Sequence, residues 1–160
     1  MAEAMADITV ERATAEDASG IETLVREARI NPTSLHWQNF CVARHVTLGL
    51  VGCGQIRDAP FGTGRELKSL VVRREFRNGA VARALLRKLM ENERGVVWGT
   101  CLEALAPYYL RLGCEIPPRR EVPLYYRVMG AVAARIHRRR TGQAPKMVVM
   151  RYRPKRPDGR

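Results

Sequence analysis

The sequence predicts an α/β protein, a mixed β-sheet flanked by helices. Three observations carry this reading. Short β-like segments alternate with helical ones along the chain. The helical segments repeat apolar residues every three to four positions. Glycine and proline mark the joins between them. With 160 residues, 46% apolar and 28% charged, the chain is long enough for one hydrophobic core and too apolar to be disordered.

Residues 8–13 alternate apolar and polar, as a half-buried strand does. Thr14 followed by Asp17 has the form of a helix start, where a carboxylate in the first turn favours the helix dipole. Ile21, Leu24, Val25 and Ala28 share one face and predict a helix over 15–28. Asn31, Pro32 and Thr33 end it, and 34–37 reads as a short helical turn. Two strands follow at 40–46 and 48–56. Gly49, Gly52 and Gly54 leave the second bare, which predicts a bend or the close approach of another group.

The run 58–64 is a turn by composition, and 65–72 is a strand ending in Leu70, Val71 and Val72. After a basic loop, Val81, Ala84, Leu85 and Leu89 predict a helix over 80–90. A strand at 96–101 and a helix at 104–112 come next, with Gly113 where a helix end favours positive φ. A short strand at 114–116, a helix at 124–140 and a last strand at 146–152 complete the order. Residues 1–153 read as one domain without internal repeats, and 154–160 as a mobile basic tail.

The net charge of +12 is unevenly placed. Residues 1–116 hold 15 Lys/Arg and 14 Asp/Glu, whereas 117–160 hold 13 Lys/Arg and 2 Asp/Glu, a net of +11. The chain is a neutral body with an arginine-rich end. No apolar run has the length of a membrane span. Glu3 and Asp7 stand where a targeting peptide carries basic residues, so export is not expected. Cys41, Cys53, Cys101 and Cys114 have no metal-ligand spacing and read as buried thiols of a reducing compartment. The expected location is therefore cytoplasmic, and no metal is expected.

The stretch richest in chemistry runs from Leu70, Val71 and Val72 through Arg77, Asn78, Gly79, Ala80, Val81 and Ala82 to Arg83. A strand passes through an Arg/Gly loop straight into a helix. Such a loop presents backbone N–H groups at the positive end of a helix, a seat for a pyrophosphate. Arg77 and Arg83 are candidates for added charged contacts.

In these residues the chain resembles the GNAT superfamily of acyl-CoA-dependent N-acyltransferases. The family loop, Q/R-x-x-G-x-G/A, stands here as Arg77-Asn78-Gly79-Ala80-Val81-Ala82, with Ala80 in place of the middle glycine. A second family motif, a tyrosine pair followed by x-x-x-Gly, stands as Tyr108-Tyr109-Leu110-Arg111-Leu112-Gly113. Tyr109 lies 27 positions after Ala82, the separation that the intervening helix and strand require. Cys114 replaces the aromatic residue that usually follows this glycine. The resemblance covers roughly 7–116 and the last strand.

The resemblance implies a twisted, mostly antiparallel sheet and transfer of an acetyl group from acetyl-CoA to an amine in a ternary complex. It implies pairing of the pantetheine arm with the strand edge at Leu70, Val71 and Val72. It places the general acid at Tyr109. The base candidate is Glu66, eleven residues before Arg77, where histone-acetylating members carry a glutamate. The loop holding His36 and Trp37 shapes the acceptor site in the family, and the bare strand at Gly49–Gly54 is a further candidate to make room for the acceptor. The isolated His36, His45 and His137 are otherwise read as surface or packing residues.

The helix at 124–140 is an addition to this plan. Tyr125, Val128, Met129, Val132 and Ile136 share one face, expected to pack on the domain, with Arg127, Arg135 and Arg138 towards the other. Cover for the acceptor site, a homodimer contact, and binding of nucleic acid or an anionic membrane surface remain open for it. A second reading is accordingly a GNAT-fold module with weakened catalysis that binds nucleic acid or anionic lipid through the arginine-rich helix.

Overall fold

The computed structural model describes residues 5–141 and 146–154. The elements in chain order are β1 (Ile8–Arg12), α1 (Ala18–Glu27), β2 (Phe40–His45), β3 (Gly49–Asp58), β4 (Arg65–Val72), α2 (Ala80–Met90), β5 (Val97–Leu102), α3 (Ala106–Arg111), α4 (Leu124–Thr141) and β6 (Met147–Tyr152). The six strands form one sheet in the order β1-β2-β3-β4-β5-β6. β1 pairs with β2 and β2 with β3 antiparallel, β4 with β5 parallel, and β5 with β6 antiparallel. A parallel neighbour needs a crossover, and α2 supplies it between β4 and β5. No helix among the described residues is long and apolar enough to cross a membrane.

The chain divides into two compact units, one of Met1–Arg57 with Leu67–Glu93, the other of Asp58–Glu66 with Arg94–Arg160. In the first, Ile21, Leu24 and Val25 of α1 pack with Phe40, Val42, Cys53 and Val71 of the strands. The start of α1 is tighter than a plain helix. A 3-10 turn at Ala15–Asp17 precedes it, and Asp17 folds back to accept hydrogen bonds from the Thr14 N–H (2.9 Å) and hydroxyl (3.2 Å). Arg44 of β2 donates to the same buried carboxylate at 2.8 Å.

The opposite side of β3 meets α2, and the glycines there are explained by the fit. A Cβ on Gly52 would stand 3.0 Å from the Val71 carbonyl oxygen and 3.2 Å from a Leu85 methyl. One on Gly54 would stand 3.0 and 3.1 Å from methyls of Leu70 and Leu89. The expected room for an acceptor is thus filled at both positions by the side chains of α2 and β4. Gly49 differs, for it takes φ +70 in the β2–β3 turn with open space around it.

In the second unit, β5 and β6 pair from Val97↔Tyr152 to Leu102↔Met147. Trp98 packs with Val122 and the buried Tyr126. The segment expected as a strand at 114–116 is a single bridge, Glu115↔Arg151. Arg151 is held there by Glu115 and Glu121, and Arg153 also reaches Glu115.

α4 corrects an expectation. Its buried anchor is Tyr126, whereas Val128, Met129 and Val132 are exposed instead of packed on the domain. Helical spacing states which residues share a face; it does not state which face has a neighbour. The side chains of Ile136, His137 and Arg138, and the tail from residue 155, lie outside the described residues.

Candidate acyl-CoA site

The residues expected at the cofactor fall around the end of β4 and the start of α2. Ser69 takes a left-handed backbone (φ 52) within β4, and this kink interrupts the alternation of the strand. Gln55 of β3 donates from Nε2 to the Ser69 hydroxyl at 3.4 Å, and the Cys53 thiol donates to its carbonyl at 3.9 Å. Beyond the kink, the Arg73 N–H donates to the Val51 carbonyl (2.8 Å), so Arg73 directs its main chain at β3. By strand alternation Val71 does likewise, and Leu70 and Val72 direct theirs away from β3.

A 3-10 turn, Arg74–Phe76, then leads to the loop. Arg77 donates from Nε to the Val72 carbonyl at 2.9 Å, tying the loop to the last residue of β4. This uses one of its five guanidinium donors. Gly79 is the N-cap of α2 in left-handed conformation (φ 86, ψ −19), the one place in the loop where glycine is required. Ala80 follows as an ordinary first helical residue, so its methyl carries no backbone strain. The Asn78 side chain accepts from the Ala80 N–H at 2.9 Å, and the Arg83 N–H begins the helix ladder on the Gly79 carbonyl at 3.1 Å. Helix geometry thus leaves the N–H groups of Val81 and Ala82 without an intrahelical acceptor. Their side chains are buried and anchor α2.

Glu66 and Tyr109 both belong to the second unit. Glu66, near the start of β4 opposite Trp98 of β5, is 2% exposed, so it is an interior carboxylate and not a solvated edge residue. Tyr109 is half-buried on α3, its ring edge-on to Tyr108 with centroids 5.6 Å apart. Burial pushes its phenol well above the usual range, and Cys101, Tyr108 and Cys114 add to the rise. The Tyr109 carbonyl accepts from the Cys114 N–H at 3.1 Å, and Gly113 takes φ +94 to make this turn. Cys114 is buried where the motif usually has an aromatic ring, and burial, with Cys101 nearby, pushes its thiol up to about 11.

Among the described residues, His45 packs in a turn, His36 is exposed, and the cysteines lie in the core. The His45 ring accepts from the Thr47 N–H at 3.2 Å and lies against Phe76, a turn-packing role. His36 is exposed beside Trp37, which packs on the α1 cluster. All four cysteines are free and buried, and Cys53 is pushed up to about 12 by burial. Among the described residues no group of His, Cys, Asp or Glu is placed to hold a metal ion. Sequence reading missed Ser69 and Gln55, since a serine in a strand gives no sign of a left-handed backbone.

No family model matches the sequence, and comparison with curated proteins finds no match. Solved structures do resemble it. N-acetylglutamate synthase from Neisseria gonorrhoeae, complexed with coenzyme A and N-acetyl-glutamate, superposes with a TM-score of 0.69 at 15% identity over 93% of this chain. The chain spans 35% of the length of that protein, about a third. A GNAT-family acetyltransferase from Bacillus cereus gives 0.65 at 11% identity, over 93% of this chain and 99% of its own. Diaminobutyrate acetyltransferase from Paenibacillus lautus, in complex with L-2,4-diaminobutyric acid and coenzyme A, gives 0.62 at 14% identity, over 94% and 97%. These likenesses show the fold: the chain has the mixed α/β architecture of the GNAT acetyltransferases.

Proposed function

We propose that the protein is an N-acetyltransferase that moves an acetyl group from acetyl-CoA to a primary amine of a small molecule or protein. The observation that carries this reading is the loop from Arg77 to Ala82, in which a left-handed Gly79 turns β4 into α2 and leaves helix N–H groups open. In this reading the N–H groups of Val81 and Ala82 and the remaining donors of Arg77, with Arg83, hold the pyrophosphate. Leu70 and the Val72 N–H, directed away from β3, pair with the pantetheine amides. The Val72 carbonyl is already engaged by Arg77 and serves the loop instead.

Glu66 accepts the amine proton, directly or through one water, so that the neutral nitrogen attacks the thioester carbonyl. The new C–N bond forms as the C–S bond breaks; Tyr109 donates its proton to the departing sulfur, and the second proton, shed by the acylated nitrogen, restores the phenol. Burial, which holds the phenol above its ordinary range, keeps Tyr109 protonated at neutral pH. Holding both reactants together supplies the advantage of proximity.

Calorimetric titration with acetyl-CoA, followed by a thiol-release assay against a panel of amines, tests the reading. Saturable binding that Arg77→Ala weakens at least about tenfold supports it, by the usual worth of charge-assisted phosphate contacts. A folded wild-type protein that binds no acetyl-CoA overturns it.

A further inference from the structure

The second unit carries an apolar surface to which the proposed reaction assigns no role. Phe61 is 93% exposed and takes a left-handed backbone (φ 58, ψ 30), which a bulky residue adopts only at an energetic cost. The loop around it is closed by the Ala59 N–H on the Gly64 carbonyl at 2.7 Å and by the Thr63 hydroxyl on the Pro60 carbonyl. A phenyl ring is therefore held out in water by a built turn. Its ring lies 5.9 Å from that of Tyr125, in the first turn of α4.

Along α4, Leu124, Val128 and Val132 recur every four residues and form one row. They are 65%, 50% and 43% exposed. By helical spacing Arg135 falls within the arc of the row and Arg127 to one side of it, rather than on the opposite face as expected, and both are exposed. The span Leu124–Thr141 contains five arginines and no acidic residue.

We propose that this face, Phe61 together with the Leu124–Val128–Val132 row, Arg127 and Arg135, docks on an anionic phospholipid surface. Charge and apolarity together select this occupant. A second copy of the chain would bring two arginine-rich faces together with no acid in either helix. Nucleic acid would satisfy the arginines and leave the aliphatic row in water. An anionic lipid interface takes the apolar side chains at the acyl boundary and the guanidinium groups among the headgroups. The proposal is independent of acetyl transfer.

Flotation of the full-length protein with vesicles tests it, using phosphatidylcholine alone and phosphatidylcholine mixed with phosphatidylglycerol. Binding is expected to the mixed vesicles only. Arg127→Gln/Arg135→Gln is expected to weaken it about 30-fold. Phe61→Ser/Val128→Ser is expected to weaken it at least about tenfold through lost apolar insertion. All four positions are exposed, and an unchanged circular-dichroism melt shows that the variants fold. Absence of binding to the mixed vesicles overturns the proposal. So does binding that the serine variant leaves unchanged, which duplex-oligonucleotide binding would then assign to nucleic acid. Vesicle-free association seen by light scattering and abolished by the serine variant would assign the face to a second copy.

Discussion

Tyr109 and Arg77 make separable contributions in the proposed reaction. Tyr109→Phe removes one hydroxyl from a ring that stays packed against Tyr108, so kcat should fall about 100-fold, within the usual range for a lost general acid. The acetyl-CoA affinity should be retained, and steady-state kinetics with titration calorimetry distinguish the two effects. The elevated phenol also has a pH consequence. Because burial holds the proton on, the active protonated form persists as pH rises through the ordinary tyrosine value of about 10. The kcat profile should therefore show no alkaline decline from this group below about pH 10. Arg77→Ala acts differently, releasing the Val72 carbonyl as well as removing a phosphate donor, and its loss should appear in acetyl-CoA affinity. The Asn78-Gly79 pair announces a turn in the sequence. That Asn78 caps the Ala80 N–H and Arg77 ties back to Val72 depends on the turn between β4 and α2, which the order of residue types leaves unstated.

Among the elements, β3 offers the sharpest test of packing. Gly52→Ala would place a methyl 3.0 Å from the Val71 carbonyl oxygen, a main-chain atom of β4 that has little freedom to yield. The expected cost is about 1–3 kcal/mol, measured by denaturant titration. Gly49→Ser meets open space and is limited instead by its φ of +70, so its cost reports conformation alone. The same strand shows where sequence reading stops. Bareness at Gly52 and Gly54 announced a close approach, but Leu85 and Leu89 of α2 could not be told from a substrate without the sheet in place. Periodicity located α2 to its end residues, since Val81, Leu85 and Leu89 repeat cleanly and Gly79 marks the start. For α4 it grouped Tyr125 with Val128, Met129 and Val132, of which Tyr125 packs beside the buried Tyr126 while the other three are exposed. The tight turn before α1 was visible only as the pair Thr14 and Asp17, whose geometry Arg44 completes from a strand 27 positions away.

At the scale of the whole molecule, stability and pH are linked through carboxylates held in their charged form, and Asp17 is a buried carboxylate held so by its partners. Burial alone would raise its proton affinity. The Thr14 N–H, then the Arg44 guanidinium and the Thr14 hydroxyl, outweigh burial and hold the carboxyl below its ordinary range. A group depressed on folding stabilises the native state above its unfolded pKa and loses that contribution as pH falls through the folded one. The window therefore lies below about pH 4, the value of an unperturbed aspartate. Asp17→Asn keeps the size of the side chain and discards its charge. At pH 7 it should cost about 1.5–3 kcal/mol, the range for hydrogen bonds to a charged group. It should also flatten the acid limb, since the variant has no proton to gain at this position. Denaturant titrations of both proteins at pH 7 and at about pH 3 measure the two effects together. Glu115, set lower by Arg153 and Arg151 in the other unit, is half-exposed and screened by solvent, so its share of the acid limb should shrink with added salt while that of Asp17 persists. Equal loss of stability in wild type and Asp17→Asn between these pH values would show that the buried carboxylate is not the group that titrates.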